Sequence, residues 1–380
     1  MNTNTIPVVA AAVRTPQGKE DGVFRDIRSE DLSTPLIDEL IRRAGIDPAS
    51  VDDLLWGCAQ QRGEQDNNLA RVIALLSEVG EKTPAATINR WCASSMQAVM
   101  SAADAIRAGQ RECIIAGGVE SMTRVPVNSS GELHPQLDDL YGAENLEMGA
   151  TAETVANRYG ISREAQDKYA LQSHQRAADA TDANRFADEI VPIETTEGVI
   201  REDEGIRRDT SLAALRGLPT VFAEAGTVTP GNASQISDGA AALLIPSKEF
   251  AKRRDLDILA KVGHHEVAGV DPQVMGIGPV PATKTLLERT DRTIDEFGLV
   301  ELNEAFASQT LYCKRELDIE DEAFNVNGGA IALGHPLGAS GARLPVSLIH
   351  EMEKRKIERG LATMCVGFGQ GAAISFERKL

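Results

Sequence analysis

The 380-residue chain is predicted to fold as a layered α/β protein made of two related halves and an inserted polar segment. Three observations carry this. Short apolar runs alternate with helical stretches over residues 7–118, and the same alternation resumes from about residue 240 to the C-terminus. Two small-residue turns, Ala93-Ser94-Ser95 and Ala339-Ser340-Gly341, open helices that lead into similar Gly-terminated strands. Alternating strands and helices indicate a parallel sheet with covering helices. The length suits two or three lobes of roughly 100–200 residues each.

In order, strands are predicted at residues 7–13, 51–59, 84–89 and 112–116, the last running into Gly117-Gly118. Between them lie helices at 31–44, 67–79 and 94–108, of which the first stops before Gly45 and the last at Gly109. Residues 119–235 break the rhythm. They are polar, with helical pattern at 150–159 and 162–180, where Ser162 is the N-cap and Glu164 complements the first turn. They are loop-rich around 125–141 and 195–208, which reads as a lid. Alternation then returns, with strands at 240–245, 258–267, 298–302, 323–326, 361–366 and 372–376 and helices at 282–289, 304–316 and 340–353. The expected division is a first half of residues 1–118 plus about 236–256, a loop domain of 119–235, and a second half of 257–380. Chance likeness of Ala/Ser/Gly turns is the alternative to duplication. Ligands of open α/β sheets bind beyond the carboxyl ends of strands, so chemistry is expected at these turns.

Composition narrows the function. At 42% hydrophobic and 25% charged the chain is ordinary globular protein, which excludes disordered and collagen-like classes. With 39 Lys+Arg against 57 Asp+Glu it carries −18 net charge and lacks the basic footprint of a nucleic-acid binder. Five cysteines, odd in number and without a CxxC pair, argue for reduced thiols rather than a disulfide framework or zinc site. No apolar run reaches a membrane span, and the N-terminus lacks signal-peptide character, so a cytoplasmic location is expected. The C-terminal Arg378-Lys379-Leu380 is only loosely like a peroxisomal address and is read as chance.

Four segments have chemical content. NRWCASSM (89–96) places Cys92 where a strand gives way to a helix, where backbone N–H groups and the helix dipole are expected to lower a thiol pKa. The arrangement is like a nucleophile elbow; a buried structural cysteine is the alternative. The segment from Asn325 to Arg343 surrounds His335 with glycines just before a helix, making it a candidate base. It has no GK[ST] ending, so it is not a P-loop. Cys365 ends a strand and precedes a Gly-rich turn whose N–H groups suit an oxyanion. Asn303 follows another strand and would otherwise cap the next helix. Two Cys, one His and one Asn at four strand ends suggest acyl transfer through a thioester. Cys58, Cys113 and Cys313 read as core residues. His134, His174, His264, His265 and His350 read as surface or packing residues, and Glu202-Asp203-Glu204 as a solvated loop rather than a metal site.

These motifs resemble the thiolase family. The resemblance rests on NRWCASSMQA, GGVESM at 117–122, GTVTPGNAS at 226–234, NEAFA at 303–307, GGAIALGHPLGASGAR at 328–343 and CVGFGQG at 365–371, in the family's order along nearly the whole chain. It implies a five-layered αβαβα fold and thiolytic cleavage of a 3-oxoacyl-CoA, or the reverse Claisen condensation. It also implies that Cys92 is the acyl-accepting nucleophile. His335 would activate Cys92 and form one oxyanion hole with a water held by Asn303. Cys365 would be the acid/base, and the N–H groups of Cys92 and Gly367 a second oxyanion hole. By the same resemblance Ser234 would contact pantetheine, Phe222 and Phe306 wall its channel, Met148 lie near the acyl group, and Arg207 or Arg208 meet the nucleotide end.

The chain departs from the biosynthetic acetoacetyl-CoA members: Glu147 stands where they have His before Met148, and Phe368 interrupts their triple glycine. The pattern is more like degradative members acting in β-oxidation. No permanently bound cofactor is implied, coenzyme A being a co-substrate. A homodimer or homotetramer is implied, with a hydratase/dehydrogenase subunit as a further partner. The alternatives are an acetoacetyl-CoA-type condensing thiolase and an inactive thiolase-like lipid-binding subunit. A ketoacyl synthase is disfavoured by Cys365, since those enzymes pair one Cys with His residues.

Overall fold

The computed structural model describes residues 5–127 and 134–378. Lys379 and Leu380, the end of the tripeptide discussed above, lie outside these, as do the first four residues and part of the predicted loop at 125–141. The first half contains β1 (Val8–Val9), β2 (Ala11–Arg14), β3 (Gly18–Lys19), α1 (Ser29–Ala44), β4 (Asp53–Gly57), α2 (Leu69–Leu76), β5 (Ala85–Ile88), α3 (Ser94–Arg107) and β6 (Cys113–Ser121). The insert holds α4 (Pro135–Tyr141), α5 (Met148–Tyr159), α6 (Arg163–Asp182), a hairpin of β7 (Ile193–Thr195) and β8 (Gly198–Ile200), and α7 (Leu212–Arg216). Then follow β9 (Ser237–Pro246), α8 (Lys248–Arg253), β10 (Ala260–Gly269), α9 (Pro279–Thr290), β11 (Leu299–Leu302), α10 (Ala307–Glu316), α11 (Ala330–Leu333), α12 (Leu337–Arg355), β12 (Arg359–Val366) and β13 (Gln370–Glu377).

Helix boundaries follow local chemistry. Gly45 ends α1 in the left-handed conformation, and the Ser162 hydroxyl accepts from Ala165 N–H to open α6. The predicted strand 7–13 is two strands. Val8–Val9 pairs with β10 in one sheet, while Ala11–Arg14 pairs with β9 in the other, so the chain crosses between sheets at Ala10. A continuous apolar run cannot reveal a change of partner. The strand expected at 323–326 is reduced to single bridge pairs, Phe324 to Val300 and Val326 to Gly328. The loop expected at 125–141 contains α4, started by Pro135 at its first position.

The sheets are mixed rather than parallel. One runs β2-β9-β6-β4-β5, the other β1-β10-β13-β12-β11. Strands β4, β5 and β6 pair in parallel, as do β11 and β12, but β9 and β13 join antiparallel to both neighbours. The reason is the return connection. Only a three-residue turn separates β12 from β13, too short for a parallel crossover. Duplication becomes explicit in the topology: β2, β9, β6, β4 and β5 match β10, β13, β12, β11 and the Phe324 bridge in order and in direction.

Five layers result. α1 and α2 cover the outer face of the first sheet through Leu36, Leu40, Leu69 and Ile73. α3 and α12 lie between the sheets, joining Val99 and Ile106 to Leu344 and Leu348 and to both inner sheet faces. α9 and α10 cover the outer face of the second sheet through Leu286 and Cys313. The two central helices can touch because Gly341 has no side chain: a Cβ there would lie 2.8 Å from that of Met96.

The insert, between Ser121 and Ser237, is clamped to both halves. Arg14 of β2 makes a bidentate pair with Asp203 (2.7 and 2.9 Å) and reaches Glu189 at 2.6 Å, all buried. On the other side Glu304 accepts from Tyr169 and Ser173 of α6, each at 2.6 Å. Of Glu202-Asp203-Glu204, then, Glu202 is solvated as expected, while Asp203 is buried and Glu204 half-buried. Asp203 also accepts from Gln17 N–H, and Glu204 from the N–H of Lys19 and Val23. Spacing alone cannot show that a carboxylate cluster has buried partners far away in sequence.

Candidate active site

Both central helices begin at the same chemistry. Cys92 stands two residues ahead of α3, and its elbow is strained: Trp91 has φ 45°, a conformation costly for a bulky side chain. His335 stands two residues ahead of α12. Cys365 is the penultimate residue of β12, with Gly367 just beyond its end, and Asn303 follows β11. The Asn303 N–H donates to Thr363 O, extending the strand pairing, and α10 starts only at Ala307 with Phe306 as its N-cap. Asn303 is therefore not the helix cap, and its side chain is free for other use.

One set of groups gathers around sulfur. The N–H of Gly367 and that of Cys92 itself both bear on the Cys92 thiol, and Cys92 lies close enough to Cys365 to disfavour ionisation of the Cys365 thiol. Cys365 Sγ–H donates to Gln309 Oε1 at 3.8 Å, and the same oxygen accepts from Phe306 N–H at 3.3 Å. The second set is Asn303, His335 and Ser340. His335 Nε2 lies 3.2 Å from Asn303 Nδ2, and its Nδ1 lies 2.6 Å from Ser340 Oγ. Asn303 Oδ1 is buried without a protein partner, which suits a bound water. The helices that follow Cys92 and His335 are joined near their starts, where the Ala342 N–H of α12 donates to Ser95 Oγ of α3 at 2.8 Å.

The expected low pKa at Cys92 is not what the structure holds. Burial pushes the thiol up to about 11; the two N–H groups pull it back only in part. Burial also carries His335 down to about 3, with the nearby Arg343 guanidinium adding to the shift. Cys365 is raised by burial and then by Cys92. The resting site is thus neutral thiol, neutral imidazole, neutral thiol. That state suits an enzyme that must form its thiolate only against a bound electrophile.

The walls come from the insert and the NEAFA turn. Ser234 N–H donates to Ala305 O and Ala307 N–H to Asn232 O, tying residues 232–234 alongside Ala305–Ala307. Phe306 meets Phe222 edge-to-face at 6.3 Å, and the Phe222 ring covers Gly149, where any Cβ would collide with it. Met148 and Trp91 face Gly367: a Cβ built there would lie 3.8 Å from Met148 Cε and 3.7 Å from Trp91. Trp91 and Phe368 rings are 5.4 Å apart. Further out, Arg207 and Arg208 line a groove of about 260 Å³ with His174 and Asp182. Arg208 pairs with Asp182 at 2.8 Å, and the Arg207 N–H donates to His174 Nδ1.

Sequence models of the thiolase N-terminal domain and C-terminal domain match residues 7–249 and 256–378. The chain belongs to the thiolase family. Two curated thiolase relatives, the 3-ketoacyl-CoA thiolases of Pseudoalteromonas translucida and Erwinia tasmaniensis, are each 48% identical to this chain. The alignments cover 98% of it and 98% and 99% of theirs. Among solved thiolase-fold structures, the Bacillus anthracis acetyl-CoA acetyltransferase superposes with TM-score 0.92 at 40% identity, over 98% of this chain and 99% of that one. Human mitochondrial 3-ketoacyl-CoA thiolase in complex with CoA gives TM-score 0.92 at 38% identity over 99% of each chain. The thiolase fold expected from the motifs, two α/β halves in five layers, is therefore the fold of this chain.

Three participants carried no sequence signal of their own. Ser340 was legible only as part of a small-residue turn, and Gln309 as one polar residue of a helix. Glu120 is a buried carboxylate accepting from Ala59, Gln60 and Gly338 N–H and from Gln65 Nε2. Cys58, Cys113 and Cys313 are buried as expected. No cluster of metal-ligating side chains occurs among the described residues.

Proposed function

We propose that this thiolase cleaves 3-oxoacyl-CoA with coenzyme A, giving acetyl-CoA and an acyl-CoA shortened by two carbons. The observation that carries the reading is the meeting of two buried thiols, Cys92 and Cys365, with the Gly367 N–H at the Cys92 sulfur. Two thiols at one site suit a reaction that needs both a nucleophile and a separate acid/base. The names of the relatives support the same substrate class.

In the proposed sequence His335 Nε2 takes the Cys92 proton and the thiolate attacks the 3-oxo carbon. The charge on the 3-oxo oxygen is met by the N–H groups of Cys92 and Gly367, while the substrate's thioester oxygen, which takes the enolate charge when C2–C3 breaks, faces His335 and a water on Asn303 Oδ1. The C2–C3 bond breaks, and the acetyl-CoA carbanion takes the proton of Cys365. The acyl group remains on Cys92 as a thioester, its oxygen held by the N–H groups of Cys92 and Gly367. Cys365, now a thiolate, removes the proton of the incoming CoA thiol; the CoA thiolate attacks the thioester and displaces Cys92 as a thiolate, to which His335 returns its proton. No electrons are gained or lost overall. Gln309 Oε1 keeps the Cys365 proton in place until it is needed.

Ser234 would contact the pantetheine arm, Phe222 and Phe306 would line its channel, and Arg207 and Arg208 would meet the nucleotide phosphates. Met148, beside Gly367, would bound the acyl group. Coenzyme A enters as co-substrate, and the role is degradative, in fatty-acid β-oxidation. The proposed location is the cytoplasm, with no helix among the described residues long and apolar enough to cross a membrane. The proposed assembly is a homodimer or homotetramer able to join a hydratase/dehydrogenase subunit, and the domain division is that given above, with β6 extending to Ser121.

The test is a series of 3-oxoacyl-CoAs of rising chain length, with CoA, on the wild type and Cys92→Ala. Thiolysis by the wild type of substrates longer than acetoacetyl-CoA, absent in the variant, is expected. Activity on acetoacetyl-CoA alone would favour the condensing alternative. A folded wild type with no activity would favour the lipid-binding one.

A further inference from the structure

His335 is a base only if its reacting nitrogen is unprotonated, and Ser340, which no step above uses, decides which nitrogen that is. Ser340 Oγ lies 2.6 Å from His335 Nδ1 and 2.9 Å from Pro336 O. A serine hydroxyl has one hydrogen. A carbonyl oxygen can only accept, so at 2.9 Å that hydrogen belongs to Pro336 O; two acceptors in contact would repel. The Oγ must then accept from Nδ1, which therefore carries the ring proton. Nε2 is left bare, and Asn303 Nδ2 donates to it at 3.2 Å. Asn303 Oδ1 is left over, without a protein partner, as this polarity requires.

The bond to Pro336 is not one the helix needs. Pro336 O already accepts from the N–H of Ala339 and of Ser340 in the first turn of α12. The hydroxyl's effect is thus on its own orientation and on the imidazole. Ser340 is 1% exposed, His335 4% and Asn303 0%, so bulk water cannot replace any of these bonds.

We propose that Ser340 is a positioning residue that locks His335 in the Nδ1–H tautomer, making Nε2 the proton acceptor for Cys92. The inference rests on the thiolase reading above and adds a coupling to it. Once Nε2 takes the proton it no longer accepts from Asn303 Nδ2, since two N–H groups would face one another. The new Nε2–H must turn to another acceptor, and the charged oxygen of the substrate is the one the reaction creates. Proton uptake and oxyanion stabilisation are then one event, imposed by a hydroxyl that never touches substrate.

The experiment is ¹⁵N NMR of the full-length enzyme labelled at histidine, with the His335 signals identified by their loss in His335→Asn. Ring nitrogens with and without a proton have well-separated shifts. The wild type is expected to show protonated Nδ1 and bare Nε2. Ser340→Ala is expected to lose that preference and to drop kcat by roughly 100-fold, the scale of a misdirected general base, with KM for CoA within about twofold. Ser340→Thr, which keeps the hydroxyl, is expected to restore the tautomer and most of kcat. An Nε2–H tautomer in the wild type overturns the proposal, and so does Ser340→Ala with tautomer and kcat both unchanged. The wild-type spectrum requires no variant of Ser340 to fold. An Nδ1–H wild type that cleaves no 3-oxoacyl-CoA would support the tautomer assignment and overturn the function reading instead.

Discussion

At Gly367 neither packing nor backbone requires a glycine. Its φ is not in the left-handed region, and a Cβ would meet its nearest neighbours at ordinary contact distances of 3.7–3.9 Å. This differs from Gly338, where a Cβ would lie 2.8 Å from Cys58 Cα. A side chain at Gly367 would point toward Trp91 and Met148, beside the Cys92 sulfur, where the proposed acyl group would lie. Gly367→Ala is accordingly expected to fold with a Tm within about 2 °C of wild type while losing at least tenfold in kcat/KM. Calorimetry and a thiolysis assay on one preparation would check both, and a large fall in Tm would mark the glycine as structural. The proposed catalytic residues were singled out at this scale because Cys92, His335, Asn303 and Cys365 each sit at a strand-to-helix or strand-to-turn junction marked by small residues. The thiol's ionisation was not, because burial and not helix position dominates it.

Among the elements, Glu120 links more parts of the fold than any catalytic residue does. It lies in β6, and its carboxylate binds the turn after β4 through Ala59 and Gln60 and the start of α12 through Gly338. It thereby fixes the N-terminus of the helix that follows His335. Burial pushes its pKa up, while four donors favour the charged form. Glu120→Ala would leave those buried donors unpaired, each at a cost of about 1–3 kcal/mol. A loss of about 3 kcal/mol or more in chemical denaturation is expected, and a change below about 1 kcal/mol would contradict the linking role. No pattern in GGVESM distinguishes this carboxylate from an exposed one, since its partners come from two segments far from it in the sequence. The divided strand at Ala10 and the mixed strand directions escaped for a related reason: pairing partners are not a local property.

For the whole molecule, net charge bears on the class of partner but not on how charge is distributed at the site. A charge of −18 argues against nucleic acid, and in the groove at Arg207 and Arg208 the two guanidinium groups stand beside Asp179 and Asp182, with Arg208 paired to Asp182. The insert that carries this groove is held by buried groups, among them His174. Burial carries His174 down to about 4, helped by Arg207, so it stays neutral in the fold and accepts from Arg207 N–H. In the unfolded chain it takes a proton near pH 6.5. Unfolded protein thus binds the extra proton, and this residue's contribution to stability falls as pH drops from about 6.5 toward 4. His174→Asn keeps an acceptor but not the titration. Over that window its stability is expected to decline less steeply than wild type, by up to about 1.4 kcal/mol per pH unit. Parallel denaturation curves for the two proteins at pH 7, 6 and 5 would check this, and identical slopes would refute it.

The amino-acid sequence alone determined the chemistry and the general architecture. Residue types at junctions, the period of apolar positions and the order of the motifs are all one-dimensional, and they sufficed for two α/β halves, an insert and four candidate catalytic groups. Only the tertiary structure decided which strands pair, in which direction, and which polar side chains serve the site from behind. Ser340, Gln309 and Glu120 draw their roles from hydrogen bonds whose direction depends on what else each partner has already bound. That depends on burial, and burial exists only once the five layers have closed around the site.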